Sequence, residues 1–148
     1  MPSQIIAHFK PSKKGLNQVL GELEQELLNY LWEHGETTGK EIFEGVARTR
    51  HNAYPTVLTV LNRMVKKGLV LKQKREGLYY FAPIFTREEF TQLACKEAVR
   101  GALEISRANT IAAIVDLLAD TDPSTIDQLE QEIALRRRES GGGNERWI

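Results

Sequence analysis

The chain has 148 residues, of which 41% are hydrophobic and 27% are charged, and its formal net charge is zero. This composition is typical of a globular protein, and the length suffices for one ordinary domain or for a small domain with an appended helical segment. A single cysteine excludes an internal disulfide framework and a cysteine-rich zinc site, and no apolar stretch approaches the roughly 20 residues of a membrane span. We expect a cytoplasmic protein without a secretory signal, a membrane span, a metal or another cofactor.

Residues 1–15 are predicted to form an irregular arm, because prolines and Gly15 punctuate them. The arm carries cations that would suit DNA, although basic termini are common and often idle. These cations are Lys10, Lys13 and Lys14. Between Leu20 and Glu33 the leucines recur at helical spacing, and Gly35 ends this first predicted helix.

Two further helices are predicted before residue 70. In the segment TGKE, Thr38 and Glu41 have the spacing of a capping box, which begins a short helix. The segment NAYPTVLTVLNRMVKKG, residues 52–68, predicts a longer one, with Pro55 in its first turn and Gly68 at its end. Its apolar stripe faces inward, and its opposite side carries hydroxyls, an amide and cations without a carboxylate. These polar residues are Thr56, Thr59, Asn62, Arg63, Lys66 and Lys67.

Two β-favouring runs, Leu69–Lys74 and Leu78–Ala82, follow and are separated by Arg-Glu-Gly, which predicts a hairpin. Its cations are Lys72, Lys74 and Arg75. Residues 45–75 contain eight Lys and Arg and no Asp or Glu, the charge pattern of a polyanion-binding surface. Two simpler interpretations stay open: the helix can be merely solvated, and the hairpin cations can protect an edge strand from aggregation.

Three helices, the third of them basic, and a basic hairpin occur in the order of a winged helix-turn-helix. Threonine, asparagine and arginine hydrogen-bond base edges and phosphates, whereas a carboxylate would be repelled by the DNA backbone. We therefore predict a mainly α fold with a small β-hairpin wing, and a DNA-binding domain over residues 16–85. The predicted DNA contacts are the polar residues of the third helix and the cations of the hairpin.

Residues 86–140 predict three more helices, which run from Thr86 to about Ser106, around Asn109–Asp120, and from the segment DPST onward. Arginines 136–138 are expected in the last turn, before a flexible tail of residues 141–148. These helices have apolar stripes but no second layer to cover them, so we predict a helical domain that dimerises with a second copy of the chain. The predicted dimerisation residues are Phe90, Leu93, Ile111, Ile114, Leu118, Ile126, Leu129 and Ile133.

The remaining chemically notable residues are interpreted as structural. We expect the aromatic residues to pack in the core and hairpin rather than to stack on bases; they are Trp32, Tyr79, Tyr80 and Phe81. The histidines at positions 8, 34 and 51 lack metal-ligand spacing, and Cys95 is expected to serve as a small apolar residue. Phosphate-loop, dinucleotide, nucleophile-elbow and zinc-protease motifs do not occur, so no enzymatic activity is expected.

The segments LGELEQELLNYLWEHGETTGKEIFE, AYPTVLTVLNRMVKKGLV and REGLYYFAPI resemble the penicillinase-repressor family of bacterial transcription factors, the BlaI, MecI and CopY group. The resemblance covers about residues 20–135. It implies a homodimeric winged-helix repressor on palindromic operators, a helical C-terminal dimerisation domain and an upstream signal that inactivates the repressor. It also implies that Thr56, Thr59 and Arg63 contact bases, with Lys66, Lys67 and the wing cations on the DNA backbone.

Three departures from the family pattern concern the inducing signal and the operator. Where β-lactam-responsive members are cut at an Asn-Phe bond, this chain has Ala113-Ile114, and where copper-responsive members carry CxC motifs, it has only Cys95. Leu58 stands where some relatives have a basic residue. The sensor or protease upstream is therefore left open. Two alternative functions are a winged-helix protein–protein interaction module and a small-molecule-sensing regulator.

Overall fold

The computed structural model describes residue 15, residues 20–47 and residues 51–144. Its elements, in chain order, are α1 (Glu22–His34), β1 (Thr37–Thr38), α2 (Gly39–Val46), α3 (Tyr54–Lys67), β2 (Val70–Arg75), β3 (Leu78–Pro83), α4 (Arg87–Ile105), α5 (Arg107–Thr121) and α6 (Ser124–Asn144). The predicted basic arm, with Lys10, Lys13 and Lys14, lies outside the described residues. The mainly α fold with a winged helix-turn-helix is confirmed.

The chain divides into two compact units, residues 1–98 and residues 99–148. The first unit thus extends beyond residue 85, where the predicted DNA-binding domain ended, and includes the first half of α4. Phe90 and Ala94 of this half-helix are buried, at 1% and 7% exposure. The start of α4 therefore belongs to the core of the first unit.

Side chains from every helix and both longer strands of the first unit meet in one hydrophobic core. Its members are Leu20, Leu27, Leu28, Leu31, Ile42, Val46, Val57, Leu61, Met64, Leu69, Val70, Phe81 and Phe90. The spacing of the α1 and α3 members is the helical one expected from the sequence. Each fully buried side chain of this size stabilises the fold by about 1.5–3 kcal/mol relative to exposure.

Helix α2 begins with the predicted capping box. The Thr38 hydroxyl accepts a hydrogen bond from the Glu41 N–H at 3.3 Å, and the Glu41 carboxylate accepts one from the Thr38 N–H at 3.3 Å. The Thr37 hydroxyl also donates to Glu41. These hydrogen bonds, the one from Thr37 above all, lower the pKa of Glu41 below its usual value. The charged carboxylate thus fixes the turn between α1 and α2.

Helix α3 begins and ends where the sequence predicted. Pro55 lies in the first turn, where its missing N–H leaves no intrahelical bond unmade. At the other end Gly68 adopts the left-handed conformation, with φ of 81°. Its N–H donates to the Val65 carbonyl at 3.1 Å, and the Leu69 N–H donates to the Met64 carbonyl at 3.0 Å. This end directs the chain straight into β2.

Within the described residues the strands form an antiparallel sheet in the order β1–β3–β2. The hairpin is predicted correctly and closes through Glu76 and Gly77, both at positive φ, which matches the twist of a two-residue hairpin turn. Strand β1 was not predicted. Thr37 and Thr38 pair with Phe81 and Tyr80, but two residues are too few to show an alternating pattern.

The second unit contains the end of α4 together with α5 and α6, and the latter two contact each other. Ser106 caps α5 by accepting a hydrogen bond from the Asn109 N–H at 3.2 Å. Asp122 accepts one from the Ser124 N–H at 3.0 Å, as expected before a helix. Helix α6 then continues to Asn144, so arginines 136–138 lie within it rather than in its last turn. The predicted flexible tail began with the three glycines at 141–143, but these lie within α6, because glycine adopts helical as well as left-handed backbone.

Candidate nucleic-acid interface

Helix α3 separates its apolar and polar residues onto opposite sides. Val57, Leu61 and Met64 are at most 1% exposed. The exposed polar residues are Thr56, Thr59, Arg63 and Lys66, and the half-buried ones are Asn62 and Lys67. The Thr59 hydroxyl donates to the Pro55 carbonyl at 2.8 Å, which leaves its oxygen lone pairs and methyl group for another molecule. The outer face of α3, defined here as Thr56, Thr59, Arg63 and Lys66, contains no carboxylate.

Lys67 differs from the other α3 cations because it has a partner on α1. Its Nζ lies 2.8 Å from Glu24 Oε2, and both side chains are half-buried, at 29% and 15% exposure. Glu24 precedes Lys67 by 43 residues, so a window of sequence around α3 does not contain it. The cation expected to contact phosphate is therefore already paired within the protein.

The register of the hairpin sorts its cations onto two faces. Lys72 lies opposite Phe81 and Lys74 opposite Tyr79, so these four side chains share the face that continues from the core. Arg75 is one residue further along β2 and points to the other face. The three cations predicted as one group of wing contacts thus belong to two surfaces.

Arg75 is held on its own face of the hairpin. Its guanidinium forms an ion pair with the carboxylate of Glu36, just before β1, and lies 4.3 Å from the centre of the Tyr80 ring. Both partners of the ion pair are well exposed, so the pair contributes little to stability. Its geometric effect is to brace the hairpin against the end of α1.

Lys72, Lys74 and Tyr79 form a cluster between the hairpin and α3. Lys72 Nζ donates to Asn62 Oδ1 at 2.8 Å and lies 4.3 Å from the centre of the Tyr79 ring. Lys74 Nζ lies 5.6 Å from the same ring. Tyr79 is 48% exposed, so of the core and hairpin environments expected for the aromatic residues it has that of the hairpin. Its position opposite Lys74 in the predicted hairpin is the sequence signal that would have identified Tyr79 as part of this cluster.

A cleft of about 690 Å³ opens between α2, α3 and the hairpin. Besides Asn62, Lys72 and Tyr79, its walls include Lys40 and Tyr54, which are both exposed and were not predicted as contacts. Lys40 lies in the first turn of α2, two residues after the capping Thr38. The cleft thus combines basic side chains from the short helix and the wing with the carboxylates of Glu41 and Glu44.

The predicted dimerisation residues do not all have the same environment. Phe90 differs from the expectation: it is 1% exposed and its ring lies 6.0 Å from that of Trp32, inside the first unit. It is therefore not available to a second chain. Ile111 and Ile133 are 56% and 44% exposed. The half-buried ones are Leu93, Ile114, Leu118, Ile126 and Leu129.

The second unit exposes further large apolar side chains that were not among the predicted dimerisation residues. They are Val99, Leu103, Ile105, Val115, Leu117 and Leu135, at 37–88% exposure. A helical pattern with apolar residues on more than one side of α5 would have revealed Val115 and Leu117. Exposed apolar surface of this extent is characteristic of an interaction site.

Among the described residues, no group of three or more His, Cys, Asp or Glu is arranged to hold a metal ion. Cys95 is exposed on α4 rather than packed in a core. No helix in the described ranges has the length and apolar character needed to cross a membrane.

The family model described as penicillinase repressor matches residues 20–134. The transcriptional regulators BlaI of Mycobacterium tuberculosis, strains CDC 1551 / Oshkosh and ATCC 25618 / H37Rv, are each 32% identical to the chain over 126 residues. The match spans 84% of this chain and 88% of either regulator.

Two solved structures show a more distant similarity. The solution structure of the DNA-binding domain of the repressor BlaI matches with a TM-score of 0.44 and 22% identity, over 52% of this chain and 93% of that domain. The complex structure of hsRosR-S1 also gives a TM-score of 0.44, with 17% identity, over 75% of this chain and 99% of the other.

Proposed function

The chain belongs to the penicillinase repressor family, and from this membership we propose that it is a sequence-specific DNA-binding transcriptional repressor. We further propose that it acts as a homodimer on palindromic operators and catalyses no reaction. The BlaI regulators named above support the first statement. The exposed apolar side chains of the second unit support the homodimer.

The observation that carries the proposal is the outer face of α3. Thr56, Thr59, Arg63 and Lys66 point away from the core on successive turns, and no carboxylate stands among them. A solvated helix usually mixes acids and bases, whereas a helix in the major groove faces phosphates and base edges, which favour donors and cations. This face therefore suits DNA better than it suits water alone.

The residues of this face divide into two roles by their chemistry. Arg63 presents a planar guanidinium that suits the N7 and O6 acceptors of guanine, and Thr56 and Thr59 offer hydroxyls and methyl groups to base edges. Lys66 is a point charge at the end of the helix and suits a phosphate. In the wing, Lys74 is exposed and takes the equivalent role.

The two cations that form ion pairs, Lys67 and Arg75, have supporting roles. Lys67 ties α3 to α1 through Glu24, and Arg75 braces the hairpin through Glu36. Both would hold the outer face of α3 and the wing in a fixed relation, which reduces the entropy lost on binding. Their charges still add to the local positive field.

Repression would follow from occupancy of the promoter by the protein. A dimer bound across a promoter would exclude RNA polymerase, and its affinity would fall steeply with salt as counterions are released from the phosphates. Two identical α3 helices about 34 Å apart would match inverted half-sites one helical turn apart.

Selection of preferred duplexes from a random DNA pool with the purified chain tests the proposal. The expected result is a consensus of two inverted half-sites with centres about 10 base pairs apart. Recovery of no consensus would contradict sequence-specific binding and favour a winged helix that binds protein. A consensus of one unrepeated site would contradict the dimeric arrangement.

A further inference from the structure

Lys72 occupies a position between the wing and α3 that differs from that of an ordinary phosphate contact. Its Nζ donates to Asn62 Oδ1 at 2.8 Å, lies 4.3 Å from the centre of the Tyr79 ring and 5.7 Å from that of Phe81. The side chain is half-buried, whereas Lys74, on the same face of β2, is exposed. Lys72 thus contacts the Asn62 side chain from the hairpin.

This hydrogen bond determines which part of the Asn62 amide is left for another molecule. An ammonium group has three donors and no acceptor, so the amide atom that faces Lys72 must be the oxygen. The NH2 group of the Asn62 amide, with its two N–H donors, is then the part left to contact another molecule. The positive charge beside the oxygen also disfavours a second donor there.

The NH2 group matters because asparagine usually contacts adenine with both ends of its amide. The NH2 group of the asparagine amide donates to adenine N7, while the amide oxygen accepts from the adenine amino group. With one lone pair of its oxygen used by Lys72 and a positive charge beside it, Asn62 makes the second half of this contact less favourably. Guanine N7 and O6 and thymine O4 are acceptors, so an amide that mainly donates suits them better than it suits adenine.

We propose that Lys72 is a positioning residue that sets base preference: it presents Asn62 as a hydrogen-bond donor and so disfavours adenine at one base pair of each half-site. The inference rests on the proposed function, because it requires α3 to contact bases. It differs from the sequence-based expectation, in which Lys72 contacts phosphate and carries no information about sequence.

The test compares three single variants with the wild-type chain. Lys72→Met keeps the unbranched apolar part of the side chain but removes its charge and donors, and Lys72→Arg keeps a charged group with donors that are expected to reach Asn62. Lys74→Met removes an exposed charge from the same face and is the matched control. Each protein is titrated with duplexes that carry all four base pairs at every half-site position, at several salt concentrations.

Lys72→Met is expected to raise the relative affinity for adenine at one position about tenfold, within the discrimination that one bidentate contact provides. Lys72→Arg should keep the wild-type preference. Lys74→Met should weaken all duplexes alike and make the log–log salt slope less negative by about 0.9. In an Asn62→Ala background, Lys72→Met should no longer change the preference.

A uniform loss of affinity in Lys72→Met, with the salt slope of Lys74→Met, would overturn the proposal and identify Lys72 as a phosphate contact. A preference that shifts equally in the Asn62→Ala background would also overturn it. Wild-type binding without any base preference would instead contradict the proposed function itself. The two failures are therefore distinguishable.

Discussion

Lys66 and Lys67 are neighbours in the last turn of α3, yet their environments differ. Lys66 is exposed on the outer face, whereas Lys67 is bound to Glu24 at 2.8 Å. Lys66→Ala should weaken binding to every duplex and make the salt slope less negative by about 0.9, since one phosphate contact is lost. Lys67→Ala should leave the slope nearly unchanged and reduce the free energy of unfolding by about 1 kcal/mol or less.

The measurements are binding isotherms at several salt concentrations and urea unfolding of both variants. If Lys67→Ala changed the slope as much as Lys66→Ala, the ion pair with Glu24 would not survive on DNA. The division of the α3 cations into contacting and supporting residues would then be wrong.

Arg63 is the residue of the outer face with the greatest capacity to recognise a base. Arg63→Ala should cost about 1–3 kcal/mol on the selected operator and broaden the preference at one position. Arg63→Lys is the matched control, because it keeps the charge but loses the planar pair of donors. It should retain binding to random DNA and lose the discrimination. Equal discrimination by Arg63→Lys and the wild-type chain would contradict a bidentate contact.

At the scale of single elements, the capping box of α2 makes stability depend on pH. Hydrogen bonds from Thr37 and Thr38 lower the pKa of Glu41, and those from Thr86 lower the pKa of Glu89 at the start of α4. A carboxyl with a depressed pKa in the folded state binds protons more readily when unfolded. Its contribution is therefore complete above the unfolded pKa of about 4.3 and is lost as pH falls through the lower folded value.

Glu41→Gln should flatten this acid limb, because glutamine keeps the capping hydrogen bond but does not titrate. Urea unfolding between about pH 3 and pH 7 measures the effect, with Glu88→Gln, at an exposed first-turn carboxylate of α4, as the control. An acid limb of unchanged slope in Glu41→Gln would contradict the assignment.

Helix α2 also depends on close packing at Gly45. A Cβ at this position would overlap the ring of Tyr30, whereas a Cβ at Gly101 in α4 would meet nothing within 4 Å. Gly45→Ala should therefore reduce the free energy of unfolding by about 1–3 kcal/mol. Gly101→Ala should instead increase helix stability by roughly 0.5–1 kcal/mol. Thermal unfolding of both variants checks the contrast, and a stabilised Gly45→Ala would show that Tyr30 moves aside freely.

Most helices and the hairpin could be predicted from local sequence, because their signals lie within each element. The α3 stripe, the Thr38–Glu41 box and Gly68 each determine structure within a few residues. Partners at long range could not be predicted in this way. Glu24 pairs with Lys67, Glu36 pairs with Arg75, and β1 pairs with β3 only because the tertiary fold brings these distant segments together. The local sequence pattern therefore overstated the number of cations free to contact DNA.

At the scale of the whole molecule, the position of Phe90 shows a second limit of local patterns. An apolar stripe on α4 indicates that a face is buried but does not say against what. The stripe was assigned to a second chain, whereas Phe90 and Ala94 are buried within the first unit. We expect the surface for a partner on the second unit, where Ile111 is 56% and Leu117 66% exposed.

The oligomeric state tests this assignment. We expect the wild-type chain to sediment as a dimer, and Ile111→Glu to shift it towards monomer, because a buried unpaired carboxylate is costly. Leu71→Glu, at an exposed apolar position of the first unit, is the matched control and should stay dimeric. A monomeric wild-type chain, or equal dissociation of both variants, would contradict a dimer built on the second unit.

Methylation interference on the selected operator tests whether two α3 helices enter the major groove. Dimethyl sulfate modifies guanine N7 in the major groove and adenine N3 in the minor groove, so it distinguishes the two modes of binding. Insertion of two α3 helices predicts interference at guanine N7 in two clusters about one helical turn apart on one face of the duplex. Interference confined to adenine N3, or none at either atom, would contradict it.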